Sequence, residues 1–147
     1  MIKLEGECIS LTLELKPMAC PRPRVAGRFA YMPNTYLNWK NSAKMQIRNQ
    51  CKIRNITEPV FIVLSFVYQR PKSYMRKVDP AERMLKGSRP DLDNLIKSIM
   101  DTLQDCKLLK DDSQVVGLMG HKWYGAKRDN KKSERNHIKI DIYPIEG

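Results

Sequence analysis

The sequence predicts an α+β fold, a single small domain over residues 1–147 in which a mixed β-sheet is packed by two principal helices. Three observations predict it. Residues 9–15 and 137–143 alternate apolar and polar side chains with period two, residues 60–68 are almost continuously apolar, and two further stretches carry apolar residues at helical spacing. The length suits one domain with a real core and leaves none over for a second of comparable size.

Each element can be justified in order. Ile9, Leu11, Leu13 and Leu15 alternate with Ser10, Thr12 and Glu14, the pattern of a half-buried strand, which Pro17, Pro21 and Pro23 then end. Residues 36–53 contain no Pro or Gly, and Ala43, Ile47 and Cys51 recur at i, i+4 steps among Lys and Arg, so a moderately amphipathic helix should start near Asn34. Residues 60–68 are rich in β-branched and aromatic side chains and suit a central strand buried on both faces. Residues 70–89 form a long polar connection carrying Arg70, Lys72, Arg76, Lys77, Arg83, Lys86 and Arg89; a structureless loop of that length is expected to be functional or disordered, and mobile without ligand. Leu92, Leu95, Ile96, Ile99 and Leu103 fall at helical spacing, so a helix should begin near Asp93 and end before a turn at 107–112. Residues 114–124 and 137–143 read as two more strands, joined by a mobile basic loop over about 125–136 with Lys127, Arg128, Lys131 and Lys132.

Bulk properties narrow the function. With 41% hydrophobic and 29% charged residues the chain is globular. No apolar run of about 18 residues suggests a membrane span, and the opening MIKLEGECIS lacks a signal-peptide core, so a cytoplasmic protein is expected. The four cysteines form no C-x-x-C pair and share no zinc-ligand spacing with His121 and His137, which argues against a zinc site or a disulfide framework. A formal net charge of +11 fits nucleic acid, an anionic membrane surface or simple solubility. The cations are spread over several non-helical segments and form no basic amphipathic helix, which favours nucleic acid.

Against that background, residues 89–117 hold six of the nine aspartates. Asp91 and Asp93 cannot serve one ion from inside a regular helix, because i and i+2 are about 200° apart at roughly 100° per residue. They can if Asp91 is extended after Pro90 and Asp93 opens the helix, with Asp112 arriving from the following loop to complete a three-carboxylate cup. Hard oxygen ligands of this kind suit Mg²⁺, with Mn²⁺ as a substitute. The plainer alternative is that Asp91 and Asp93 cap the helix, worth on the order of 1 kcal/mol. Lys97 either pairs with Asp93 at i, i+4, worth roughly 0.2–0.5 kcal/mol, or supplies a point charge at the metal site. Asn94 could bond a metal-bound water or finish the cap. Asp111 has a supporting or surface role, with a second ion as an option, and Asp101 and Asp105 belong to a solvated face. Arg22 and Arg24, at i and i+2 in an extended segment, could meet consecutive phosphates or stiffen a solvated linker. Tyr36, Trp39 and Tyr74 could stack on bases, although such aromatics more commonly cover the edge of a core.

The spacing of these residues resembles the active-site signature of the RusA-like Holliday junction resolvases: R-x-DLDN at Arg89 to Asn94, then Lys97, then DD-x-QV at Asp111, Asp112, Gln114 and Val115. The resemblance implies a Mg²⁺-dependent, structure-selective endodeoxyribonuclease that nicks four-way DNA junctions in pairs. It further implies Asp91, Asp93 and Asp112 as metal ligands, Lys97 as a catalytic cation, and a homodimer in a bacterial cell, encoded by the bacterium or by a phage or prophage. Branched DNA would be the partner, held by the cations at 22, 24, 70, 72, 76, 77, 89, 127, 128, 131 and 132, with no membrane partner. A fork or flap nuclease, or a noncatalytic basic DNA-binding module, are the rival readings.

Overall fold

The computed structural model describes residues 8–52 and 55–145. Its main sheet has five strands: β1 (Ile9–Leu13), β4 (Val60–Tyr68), β5 (Met84–Leu85), β6 (Val115–Tyr124) and β7 (His137–Pro144), in the order β1-β7-β4-β6-β5. Only β4 and β6 run parallel, so the sheet is mixed as expected. The parallel pair needs a crossover, and the connection contains α2 (Leu92–Asp105). Helix α1 (Asn34–Gln50) packs on β1 and on α2, and α2 on β6, giving a two-layer α+β domain.

The core lies between these layers. Ile62, Leu64 and Phe66 of β4, Ile138, Ile140 and Ile142 of β7, and Leu95, Ile99 and Leu103 of α2 are fully buried, each contributing roughly 1.5–3 kcal/mol. Strand β4 is not buried on both faces over its length. Phe61, Val63 and Ser65 are only half-buried, because among the described residues both helices pack on the other side of the sheet. On the half-buried side Gly117 lies against Phe61, whose ring would sit 1.9 Å from an added Cβ.

The free edge of β1 is closed by a helix. The Thr12 N–H donates to Gln50 Oε1 (2.9 Å), Gln50 Nε2 donates to the Thr12 carbonyl (2.6 Å), and the Glu14 N–H donates to Gln46 Oε1 (2.7 Å). One turn of α1 thus stands in for a neighbouring strand.

Two elements escaped the sequence reading. Residues 24–31 form a two-stranded hairpin, β2 (Arg24–Ala26) and β3 (Phe29–Tyr31), turning at Gly27 with φ +61°. Residues 70–89 are not structureless. They contain a 3-10 turn at Lys72–Tyr74 and the short strand β5. Asp101 and Asp105 lie on a partly solvated face, and they also do what the sequence did not indicate: Lys40 of α1 bridges both carboxylates at 3.0 and 2.7 Å, so they tie the helices together. Burial opposes the Lys40 charge, but the bonds to Asp105 and Asp101 outweigh it and hold the ammonium above its ordinary range. Among the described residues no helix is long and apolar enough to cross a membrane.

Candidate active site

The approach to α2 is held by one cation. Lys122 of β6 donates to the carbonyls of Ser88 and Pro90, each at 2.8 Å, and so fixes the segment that delivers Asp91. The Arg89–Pro90 peptide is cis. Asp91 takes the N-cap position in an extended conformation, φ −69° and ψ 139°, and its carbonyl accepts the Leu95 N–H at 3.2 Å. Its exposed carboxylate makes no capping hydrogen bond. Asp93 lies in the first turn, where Oδ1 accepts the Asn94 N–H at 2.9 Å. Both charges therefore sit at the positive end of the helix dipole, and that of Asp91 is uncommitted among the described residues.

Lys97 follows one turn on, exposed, and no ion pair joins it to Asp93. Asn94 is half-buried, and its main-chain carbonyl accepts the Cys20 N–H at 3.0 Å, which anchors the base of the β2–β3 hairpin beside the helix start.

The second acidic segment is a capped 3-10 turn, Asp112–Gln114. Asp111 and Gln114 form a reciprocal capping box, and the Asp111 carboxylate also accepts Ser113 Oγ at 2.7 Å, a bond that leads in holding its pKa below the usual range. Gln114 Nε2 ties the turn to the carbonyls of Ile56 and Glu58 at 2.6 and 3.0 Å. Asp111 is thus committed to the turn, while Asp112 is exposed on a shallow groove it shares with Met100. Met100 is seven residues beyond Asp93 on the same helix face, about 10 Å of helical rise. Among the described residues no three acidic, histidine or cysteine side chains come close enough to hold one metal ion. The donor chemistry of Asp91, Asp93 and Asp112 fits a hard divalent cation.

The expected DNA-contacting cations divide into two groups. Arg22, Arg24, Lys72, Lys77, Arg89, Arg128, Lys131 and Lys132 are exposed, and Arg76 is exposed but paired with Asp79 at 3.2 Å. Arg70 is placed differently: it is 4% exposed, and its guanidinium donates to the carbonyls of Gly125 (3.0 Å), Tyr74 (3.3 Å), Pro80 (2.7 Å) and Glu82 (2.6 Å). Five donors in a fixed fork suit it to gathering carbonyls, so it organises the loop and offers no surface to DNA. Lys127 behaves likewise, donating to the carbonyls of Arg76 (2.6 Å) and Asp79 (2.8 Å). Arg83 and Glu134 complete this internal framework with a two-bond ion pair at 2.7 and 2.9 Å. The bond from Arg83 leads in lowering the Glu134 pKa to about 2.

Of the aromatics considered for stacking, Tyr36 is fully buried against Trp39, and Tyr74 packs edge-on against Tyr124. Sequence reasoning missed Lys122, whose signal was a lysine on the helix-facing side of an otherwise apolar strand. It also missed the hairpin, signalled by the glycine between two short apolar runs.

Exposed carboxylates at a helix start, among cations that few acids neutralise, define the class as an enzyme acting on a polyanion. The chain belongs to the endodeoxyribonuclease RusA family, whose model matches residues 14–142, and the nucleases of that family are metal-dependent. It is 44% identical over 60 residues to the crossover junction endodeoxyribonuclease rusA of Lactococcus phage r1t, covering 41% of this chain and 40% of the phage protein. It is 30% identical over 132 residues to the uncharacterised protein YqaN of Bacillus subtilis (strain 168), covering 80% of this chain and 89% of that protein.

Proposed function

We propose that this chain is a Mg²⁺-dependent endonuclease that resolves four-way DNA junctions by paired symmetric nicks, acting as a homodimer. The observation that carries the reading is the Asp91 carboxylate, exposed and uncommitted beside Asp93 at the positive end of α2, in register with Lys97 and Asp112. Asp91 and Asp93 would hold the ion, with Mn²⁺ able to replace Mg²⁺. The bound ion would supply Lewis acidity and lower the pKa of the attacking water. Lys97, exposed on the adjacent turn, would stabilise charge building on the scissile phosphate, and Asn94 and Asp111 would support the ligands. Arg22, Arg24, Arg89, Lys72, Arg76, Lys77, Arg128, Lys131 and Lys132 would meet the backbone.

Asp112 is the ligand that needs explaining. Its turn is fixed by the Asp111–Gln114 box and by the bonds to Ile56 and Glu58, and among the described residues it forms no three-ligand group with Asp91 and Asp93. A two-fold dimer offers a second copy of Asp112 to each Asp91–Asp93 pair, and two symmetric sites match two symmetric strands.

The test is cleavage of an end-labelled four-way junction beside a fork and a linear duplex, with Mg²⁺ or EDTA. Paired nicks in the junction alone, abolished by EDTA and by Asp91→Asn, are expected. Cutting mainly of the fork would move the substrate, and salt-sensitive binding without cutting under any metal would leave a DNA-binding module. Mixing inactive Asp91→Asn and Asp112→Asn proteins should restore part of the activity if the ligands are shared across the dimer.

A further inference from the structure

A second cationic site lies apart from the carboxylates, where the end of β4 meets the 70–89 connection. A cleft of about 500 Å³ is lined by Lys16, Lys72, Lys86, Tyr68, Tyr124 and Asn136, among others, and no acidic side chain of the described residues lines it. Among the described residues none of the three lysines has an ion pair. In contrast to Arg70 and Lys127, these charges are not consumed by the fold.

Lys86 is also held in place. Its N–H donates to the Lys122 carbonyl at 3.0 Å and its ammonium to Ser88 Oγ at 2.7 Å. The ammonium lies 5.1 Å from the centre of the Tyr68 ring and 5.2 Å from that of Tyr124, so two aromatic faces fix it without neutralising it. Tyr68 offers the cleft its ring, not its hydroxyl, which is shut away from solvent and, among the described residues, has no hydrogen-bond partner. Burial pushes that phenol up to about 12, so it stays protonated and adds no negative charge beside the lysines. A fixed ammonium, two free ones and the Asn136 carboxamide make a donor-rich, acceptor-poor site, the chemistry that recognises a phosphodiester.

We propose that this cleft binds a backbone phosphate of the DNA strand flanking the phosphate that is cut, a role that rests on the nuclease reading above. Lys86 lies five residues before Asp91, so their Cα atoms are at most about 18 Å apart even if the chain between them were extended. At about 3.4 Å of rise per nucleotide along one strand, the bound phosphate lies on the order of five nucleotides from the cut. The cleft thus sets register along the strand and takes no part in the chemistry.

Binding without cutting tests this. A labelled four-way junction is titrated in EDTA with the wild type, with Lys86→Met and with the double variant Lys16→Gln, Lys72→Gln, whose exposed side chains make no ion pair among the described residues. The slope of log affinity against log salt should become shallower by up to about 0.9 in Lys86→Met and likewise in the double variant, the value for loss of the one phosphate contact that the lysines share. Junctions carrying one neutral methylphosphonate at each of the five flanking positions should reveal a single position that weakens wild-type binding about tenfold and does not affect Lys86→Met. Equal salt slopes in all three proteins, or no methylphosphonate position that distinguishes wild type from Lys86→Met, would overturn the proposal. Displacement of the junction by inorganic phosphate more strongly than by sulfate at equal ionic strength would assign the cleft to free phosphate and overturn it too. Absence of cleavage by the wild type under any metal would defeat the nuclease reading while leaving these binding results standing.

Discussion

The start of α2 and the internal framework of Arg70, Arg83, Lys127 and Glu134 in the lobe built from residues 70–89 and 125–136 are both charged, and they dispose of that charge in opposite ways. At the helix start Asp91 and Lys97 project from an ordered backbone with no ionic partner among the described residues, and the cation nearby, Lys122, binds carbonyls instead of the carboxylates. In the lobe Arg70, Lys127, Arg83 and Glu134 are turned inward on carbonyls or on one another. The difference shows that a charge acts on a substrate only after the fold's own unsatisfied groups have been served. Buried carbonyls without partners are costly, and a long loop that packs on itself must find donors for them.

The comparison can be broken at its strongest point first. Asp91→Asn should lower junction cleavage on the order of 10³-fold, the equivalent of several kcal/mol of lost metal-assisted stabilisation, with a change in folding stability within about 1 kcal/mol. A variant that cuts normally would remove the helix start from the chemistry. Arg70→Ala should behave in reverse, losing about 3 kcal/mol in urea unfolding because several buried carbonyls lose a charged donor, whereas Lys72→Ala should stay within about 0.5 kcal/mol. If Arg70→Ala kept its stability and lost only DNA affinity, the lobe would not be the scaffold described.

Acid should separate the regions further. Glu134 has a pKa depressed from 4.5 to about 2, so its contribution is fully present above 4.5 and is lost as pH falls through about 2. The urea midpoint of the wild type should therefore fall between about pH 5 and about pH 3, and that of Glu134→Gln, lower at the outset, should fall less over the same interval. The smallest expected effect comes from an aspartate of the same acidic stretch that is structural. Asp105→Asn should cost no more than about 1 kcal/mol and leave cleavage unaltered, because it removes one of two carboxylates on Lys40 at a half-exposed site.

Periodicity made most of the fold legible. Strand β4 and helix α1 begin where the apolar pattern and the absence of Pro and Gly placed them, and β7 extends one residue past its expected end, because these elements bury repeating faces against one core. The β2–β3 hairpin and the ordering of the 70–89 segment were not legible. Neither buries a repeating face: every residue of the hairpin's strands is exposed, and the connection is held by Arg70, whose partners are main-chain carbonyls that carry no sequence signal. At the candidate site the residue types were legible and their distances were not. The step from Asp93 to Asp112 depends on where β6 begins beside α2, a tertiary matter that spacing along the chain does not encode.

The glutamines of α1 carry a consequence for how the chain reaches this structure. Because Gln46 and Gln50 complete the edge of β1, that edge is closed only once the helix has docked. Until then a strand with bare donors and acceptors is open to pairing with another molecule, so the interval between sheet formation and helix docking is when self-association competes with folding. Two carboxamides one helical turn apart thus act as a kinetic safeguard as well as a structural one, and refolding yield at high protein concentration should depend on them more than equilibrium stability does.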